Sequence, residues 1–125
     1  MTEIEITENS LIVHVKGVDK ILALKSQLEV PLSHITGVEI DPGVEQEFNS
    51  WFTGLKAPGT GLPGVIKAGT WYTSNGKVFW DVHNPHSTVT ITLADETYNG
   101  LVVQVADPAS AIAEIEDAIR RYRAL

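Results

Sequence analysis

Residues 55–70 read LKAPGTGLPGVIKAGT. Their reading decides between a nucleotide-binding α/β fold and a mainly β one. Gly59, Gly61 and Gly64, with Lys56 and Lys67 close by, invite comparison with a phosphate-cradling loop. Such a loop needs Gly-Lys-Ser/Thr directly after a strand and opening a helix, so that amides and the helix dipole meet the anion. No Gly-Lys-Ser/Thr occurs in the chain. Pro58 and Pro63 have no amide hydrogen to offer. The adjoining residues 65–73, VIKAGTWYT, are β-branched and aromatic, which is the signature of a strand. The stretch therefore reads as a bend between strands, inside an irregular segment running from Asp41 to Gly64, in which VEQEFNSWF at 44–52 has room for a helical turn carrying Phe48, Trp51 and Phe52.

Working outward, period-two alternation dominates. Ser74-Asn75-Gly76 reads as a hairpin turn between 65–73 and KVFWDVH at 77–83. STVTITL at 87–93 alternates strictly, with Val89, Ile91 and Leu93 inward and Thr88, Thr90 and Thr92 outward. TYNGLVVQV at 97–105 reads as the last strand, with Gly100 marking a bulge. Upstream, TEIEIT at 2–7 and SLIVHVK at 10–16 form a hairpin about Glu8-Asn9, burying Leu11, Val13 and Val15. Residues 18–25 read as a short helix. QLEVPL at 27–32 is a strand that lies at an edge or ends at Pro31, and ITGVEI at 35–40 is another.

The C-terminal segment, about 108–124, is helical. Asp107 suits the N-cap and Pro108 the first turn. Ile112, Ile115, Ile119 and Tyr122 form one apolar stripe. Glu116–Arg120 and Asp117–Arg121 are i,i+4 pairs, with the arginines late in the helix, where they complement its dipole.

The chain has 125 residues, 43% hydrophobic and 20% charged, which suits a single globular domain over 1–125, with strands about 2–105. The net charge of −7 opposes nucleic acid and anionic lipid, because the lysines are scattered and only Arg120, Arg121 and Arg123 cluster. There is no cysteine, hence no disulfide or thiolate site. No apolar run reaches the ~18 residues of a membrane span, and the acidic start MTEIEITENS does not read as a signal peptide. The expected compartment is the cytoplasm.

About seven short antiparallel strands and one amphipathic helix suggest a barrel plugged at one end by that helix. PGTGLPG, AGTWY, SNGKVFWDV and then NP, TVTITL and LVVQVADP, in this order, resemble small bacterial proteins with a pleckstrin-homology-like (PH-like) domain, in the branch that includes bacteriocin-immunity-like proteins. The match is densest from Pro58 to Pro108. The resemblance implies the barrel-plus-helix fold and carries no active site. It also suggests a regulator or immunity protein acting at a membrane surface on lipid head groups or a peptide toxin.

Candidate sites are few. Asp81, His83 and His86 contain metal-ligand types, but their spacing matches no metal motif. Asp41, Glu45 and Glu47 lack EF-hand spacing and read as a solvated face. Lys16, Lys20 and Lys25, beside Asp19, make a poor inositol-phosphate site. No nucleophile stands near an acid–base group, so no catalytic residue, metal site or cofactor is expected. The aromatics are the best recognition candidates. Tyr72 and Phe79 alternate against Trp71 and Trp80, so one pair enters the core and the other faces out. Trp51 and Phe52 either cover the outer pair or join it. Trp51, Phe52, Tyr72 and Phe79 are therefore the candidate partner surface. The expected function is a non-enzymatic protein-binding or scaffolding module, with self-association through a strand edge as one form of it.

Overall fold

In the computed structural model, residues 2–17, 26–48, 55–62, 66–73 and 76–124 are described, the side chains of 46, 47 and 55–62 excepted. The order is β1 (Thr2–Ile6), β2 (Ser10–Val15), β3 (Gln27–Pro31), β4 (Ile35–Glu39), α1 (Val44–Phe48), β5 (Leu55–Leu62), β6 (Ile66–Thr73), β7 (Gly76–Val82), β8 (Thr88–Leu93), β9 (Gly100–Gln104) and α2 (Pro108–Arg123). The protein is mainly β with one C-terminal helix.

Among the described residues the strands form two sheets, ordered β1-β2-β3 and β4-β8-β9-β7-β6-β5, and no closed barrel. The expected mainly β body with a C-terminal helix is present, while the strands of these residues, where a barrel of about seven antiparallel strands was expected, are arranged in two sheets of which one is mixed. The departure has a specific origin. β9 runs antiparallel to β8 but inserts beside β7, parallel to it, with Phe79 opposite Leu101 and Trp80 opposite Val102. A simple meander would have placed β8 next to β7. Parallel pairing favours strands buried on both faces, and Gly100 through Val103 are all buried.

The N-terminal hairpin forms as its alternation dictates. Ile6 pairs with Leu11 and Ile4 with Val13, and Leu11, Val13 and Val15 are buried. β3 is an edge, as Pro31 requires. β6 and β7 form the expected hairpin, with Thr73 opposite Gly76. Val89, Ile91 and Leu93 point inward, but Thr88 is also buried and its hydroxyl donates to the Pro85 carbonyl. No register shift occurs at Gly100; shifts fall between Ile35 and Gly37 and between Lys56 and Gly59. In the segment expected to be irregular, α1 falls within the helical turn read at 44–52, whereas β5 was not expected. Asp41 organises the entry to α1 by accepting from the Gly43 amide at 2.8 Å. The helix expected at 18–25 lies outside the described residues.

α2 begins as its sequence predicts. Asp107 accepts from the Ser110 amide at 3.1 Å and from the Ser110 hydroxyl at 2.9 Å. The amide bond first, then the hydroxyl, holds the Asp107 carboxyl below the usual aspartate range. Ile115 and Ala118 are buried, and Ile112, Ile119 and Tyr122 pack half-buried on the same core. Asp117 pairs with Arg121 at 2.9 Å, and Arg120 reaches Asp117 at 3.6 Å rather than Glu116.

Two apolar clusters result. The larger lies between the sheets and α2 and includes Leu11, Val13, Phe79, Ile91, Leu101 and Ile115. The smaller lies on the opposite face of the six-stranded sheet, where Val44 and Phe48 of α1 cover Trp71, Trp80, Val82 and Val102.

Candidate functional site

The β6–β7 hairpin positions the aromatic side chains. Thr70 pairs with Phe79 and Tyr72 with Lys77, while Gly69 pairs with Trp80 and Trp71 with Val78. Directly paired residues share a face. Tyr72 and Phe79 are therefore on one side and the two tryptophans on the other, as their alternation requires.

The expectation that one of these pairs faces solvent fails for Phe79. That reading assumed a single core. The sheet is covered on both faces, so Trp71 and Trp80 enter the smaller cluster and Phe79 the larger. Phe79 is fully buried and cannot belong to a partner surface. Tyr72, on the same face but nearer the strand end, is 46% exposed. Trp51 and Phe52 lie outside the described residues.

Around Tyr72 an aromatic row runs from core to surface. Phe79 meets Tyr98 edge to face at 5.9 Å. The Tyr98 hydroxyl lies 2.8 Å from the Thr70 hydroxyl. The Lys77 ammonium sits 5.1 Å from the Tyr98 ring and 5.6 Å from the Tyr72 ring. Its cation is attracted to both π faces, which orients Tyr72 without burying it. The row was missed in the sequence because Tyr98 was read as part of the strand 97–105, whereas β9 begins only at Gly100 and Tyr98 lies in the connection before it.

The second face carries a buried cation. Lys67 is 3% exposed, and its ammonium lies 4.0 Å from the Trp80 ring and 4.9 Å from the Trp71 ring. A lysine in strand β6 has no sequence signal for burial. The two indoles that the hairpin register sets beside it hold the ammonium on this face.

The other candidate groups are dispersed. Asp81 is buried and accepts from the Thr2 hydroxyl at 2.7 Å, joining the two sheets. His83 and His86 are exposed beyond the end of β7. His86 lies 3.8 Å from Glu45, while His14 meets Glu5 at 2.8 Å and His34 meets Glu96 at 2.5 Å. Among the described residues no three His, Cys, Asp or Glu side chains converge as a metal site. Lys16 faces Glu3 at 3.5 Å, and Lys20 and Lys25 lie outside the described residues. Among the described residues no helix is long and apolar enough to cross a membrane.

No family model matches the chain, and no curated protein or solved structure is significantly similar to it, so the reading of function rests on this geometry.

Proposed function

We propose that the protein is a non-enzymatic protein-binding module that works by surface complementarity. The observation that carries this reading is Tyr72. It is an exposed aromatic, oriented by Lys77 and backed by a buried aromatic row. A rigid aromatic with a polar tip contributes contact area at low entropic cost, which is why tyrosine is enriched at interface hot spots.

A PH-like ancestry accords with the two-sheet body and the C-terminal helix packed against it. The parallel β7–β9 pairing is the feature such an ancestry must accommodate. The membrane-surface reading draws on Arg120, Arg121 and Arg123 alone, against a chain of net charge −7.

A photo-crosslinking amino acid at position 72, introduced in cells, tests the proposal. The expected result is a covalent adduct to a defined protein, either another chain or a second copy of this one. A control crosslinker at exposed Glu114, on the face of α2 away from β4, should give no such adduct. Absence of a protein adduct at 72, together with flotation of the pure protein on anionic vesicles, would replace the proposal with the membrane reading.

A further inference from the structure

Among the described residues four strands lie at sheet edges, and of these β4 is the least guarded by charge or proline. Exposed charges or a proline discourage edge-to-edge pairing. β1 carries exposed Glu3 and Glu5, β3 carries exposed Glu29 and ends in Pro31, and β5 contains Pro58. β4 presents Thr36, Gly37 and Val38 before reaching a charge at Glu39. Its register shift lies between Ile35 and Gly37, so the pairing from Gly37 to Glu39 is regular. Ile40, just beyond, is 58% exposed.

A groove of about 310 Å³ runs between this strand and α2. Four consecutive β4 residues, 35–38, line it. Side chains on one strand alternate between faces, so a wall made by consecutive residues is the strand's edge and not one of its faces. The opposite wall is Ile119 with Arg120 and Arg123, and Glu116 is its one acidic member. Arg120 contacts Asp117 only at 3.6 Å. Among the described residues no carboxylate lies within ion-pair distance of Arg123. The groove thus combines unpaired main-chain groups, an apolar floor at Ile119 and Val38, and a cationic rim on an otherwise acidic molecule.

We propose that this groove binds an acidic peptide in extended conformation, added as a further strand on β4 with its carboxylates toward Arg120 and Arg123. The proposal rests on the binding-module reading and gives it a partner chemistry. Main-chain hydrogen bonds to the edge supply affinity, and the arginines select charge.

The test is fluorescence polarisation with the full chain at low salt. The probe is a labelled octapeptide of alternating Val and Glu. Its alternating Val and Lys counterpart and a version N-methylated at alternate residues serve as controls. The Glu peptide should bind at least tenfold tighter than the Lys peptide, and N-methylation should abolish binding. The exposed double substitution Arg120→Gln, Arg123→Gln should weaken binding about tenfold while the chain stays folded, with only the small fall in melting temperature that loss of two charges from the helix end entails. Amide shifts in an NMR titration should concentrate at 36–40. Equal binding of the three peptides, no binding, or shifts elsewhere would overturn the proposal. So would a self-associated chain whose β4 amides are already protected from exchange. Crosslinks from position 72 would survive all of these outcomes, which separates failure of the groove from failure of the binding-module reading.

Discussion

Single side chains show where this fold stores local cost. The Thr90 hydroxyl on β8 is buried, and among the described residues nothing bonds to it. An unsatisfied buried hydroxyl costs about 1–3 kcal/mol, and valine has the same shape without that demand. Thr90→Val should therefore stabilise the protein by about 1 kcal/mol in urea denaturation, and a destabilised variant would show that the hydroxyl is satisfied. Gly76 behaves oppositely. Its φ is 114°, a region that suits glycine, and a Cβ there would collide with the Asn99 side-chain amide. Gly76→Ala should cost about 1–3 kcal/mol and loosen the hairpin that carries Tyr72. A variant with unchanged stability would mean that the turn relaxes freely. The glycine was legible in the sequence as part of Ser74-Asn75-Gly76. The neighbour it makes room for, Asn99, comes from a distant turn and was not.

Among the elements, α2 was the most legible, because cap, apolar stripe and charge order all lie within one short segment. Its cap gives a pH dependence of definite sign. Folding lowers the Asp107 pKa, so the ionised cap contributes stability above the ordinary carboxylate range. That contribution is lost as pH falls through the lowered value. Asp107→Asn keeps an acceptor for the Ser110 amide but cannot titrate. The wild type should melt higher than this variant at neutral pH, and the gap should close below about pH 4. A gap independent of pH would remove the charge from the account. α1 was legible only as a helical turn somewhere in 44–52, because Val44–Phe48 is too short for a periodic signal. β5 was illegible, because it is rich in Gly and Pro and only pairing with β6 makes it a strand.

The whole molecule is organised around one sheet buried on two sides. β6 and β7 supply residues to both apolar clusters, so the clusters should not unfold separately. Phe48→Ala in the smaller cluster should cost about 3–5 kcal/mol, and Ile115→Ala in the larger about 2–5 kcal/mol. Each should shift one common transition, with tryptophan fluorescence and far-ultraviolet circular dichroism coinciding. If Phe48→Ala moved the fluorescence transition alone, the smaller cluster would be an independent unit.

By itself the sequence determined what depends on near neighbours: the N-terminal hairpin, the β6–β7 hairpin, the inward set of β8, the α2 cap and stripe, and the opposite facing of Tyr72 and Trp71. Local periodicity and turn chemistry are complete within those few residues. Only the tertiary structure decided what depends on meetings between distant segments. It placed β9 between β7 and β8, buried Phe79 in the larger cluster, covered Trp71 and Trp80 on the second sheet face with α1, and left β4 open beside Arg120 and Arg123. Alternation specifies that a strand has two faces, but whether one or both are covered depends on which other segments arrive there.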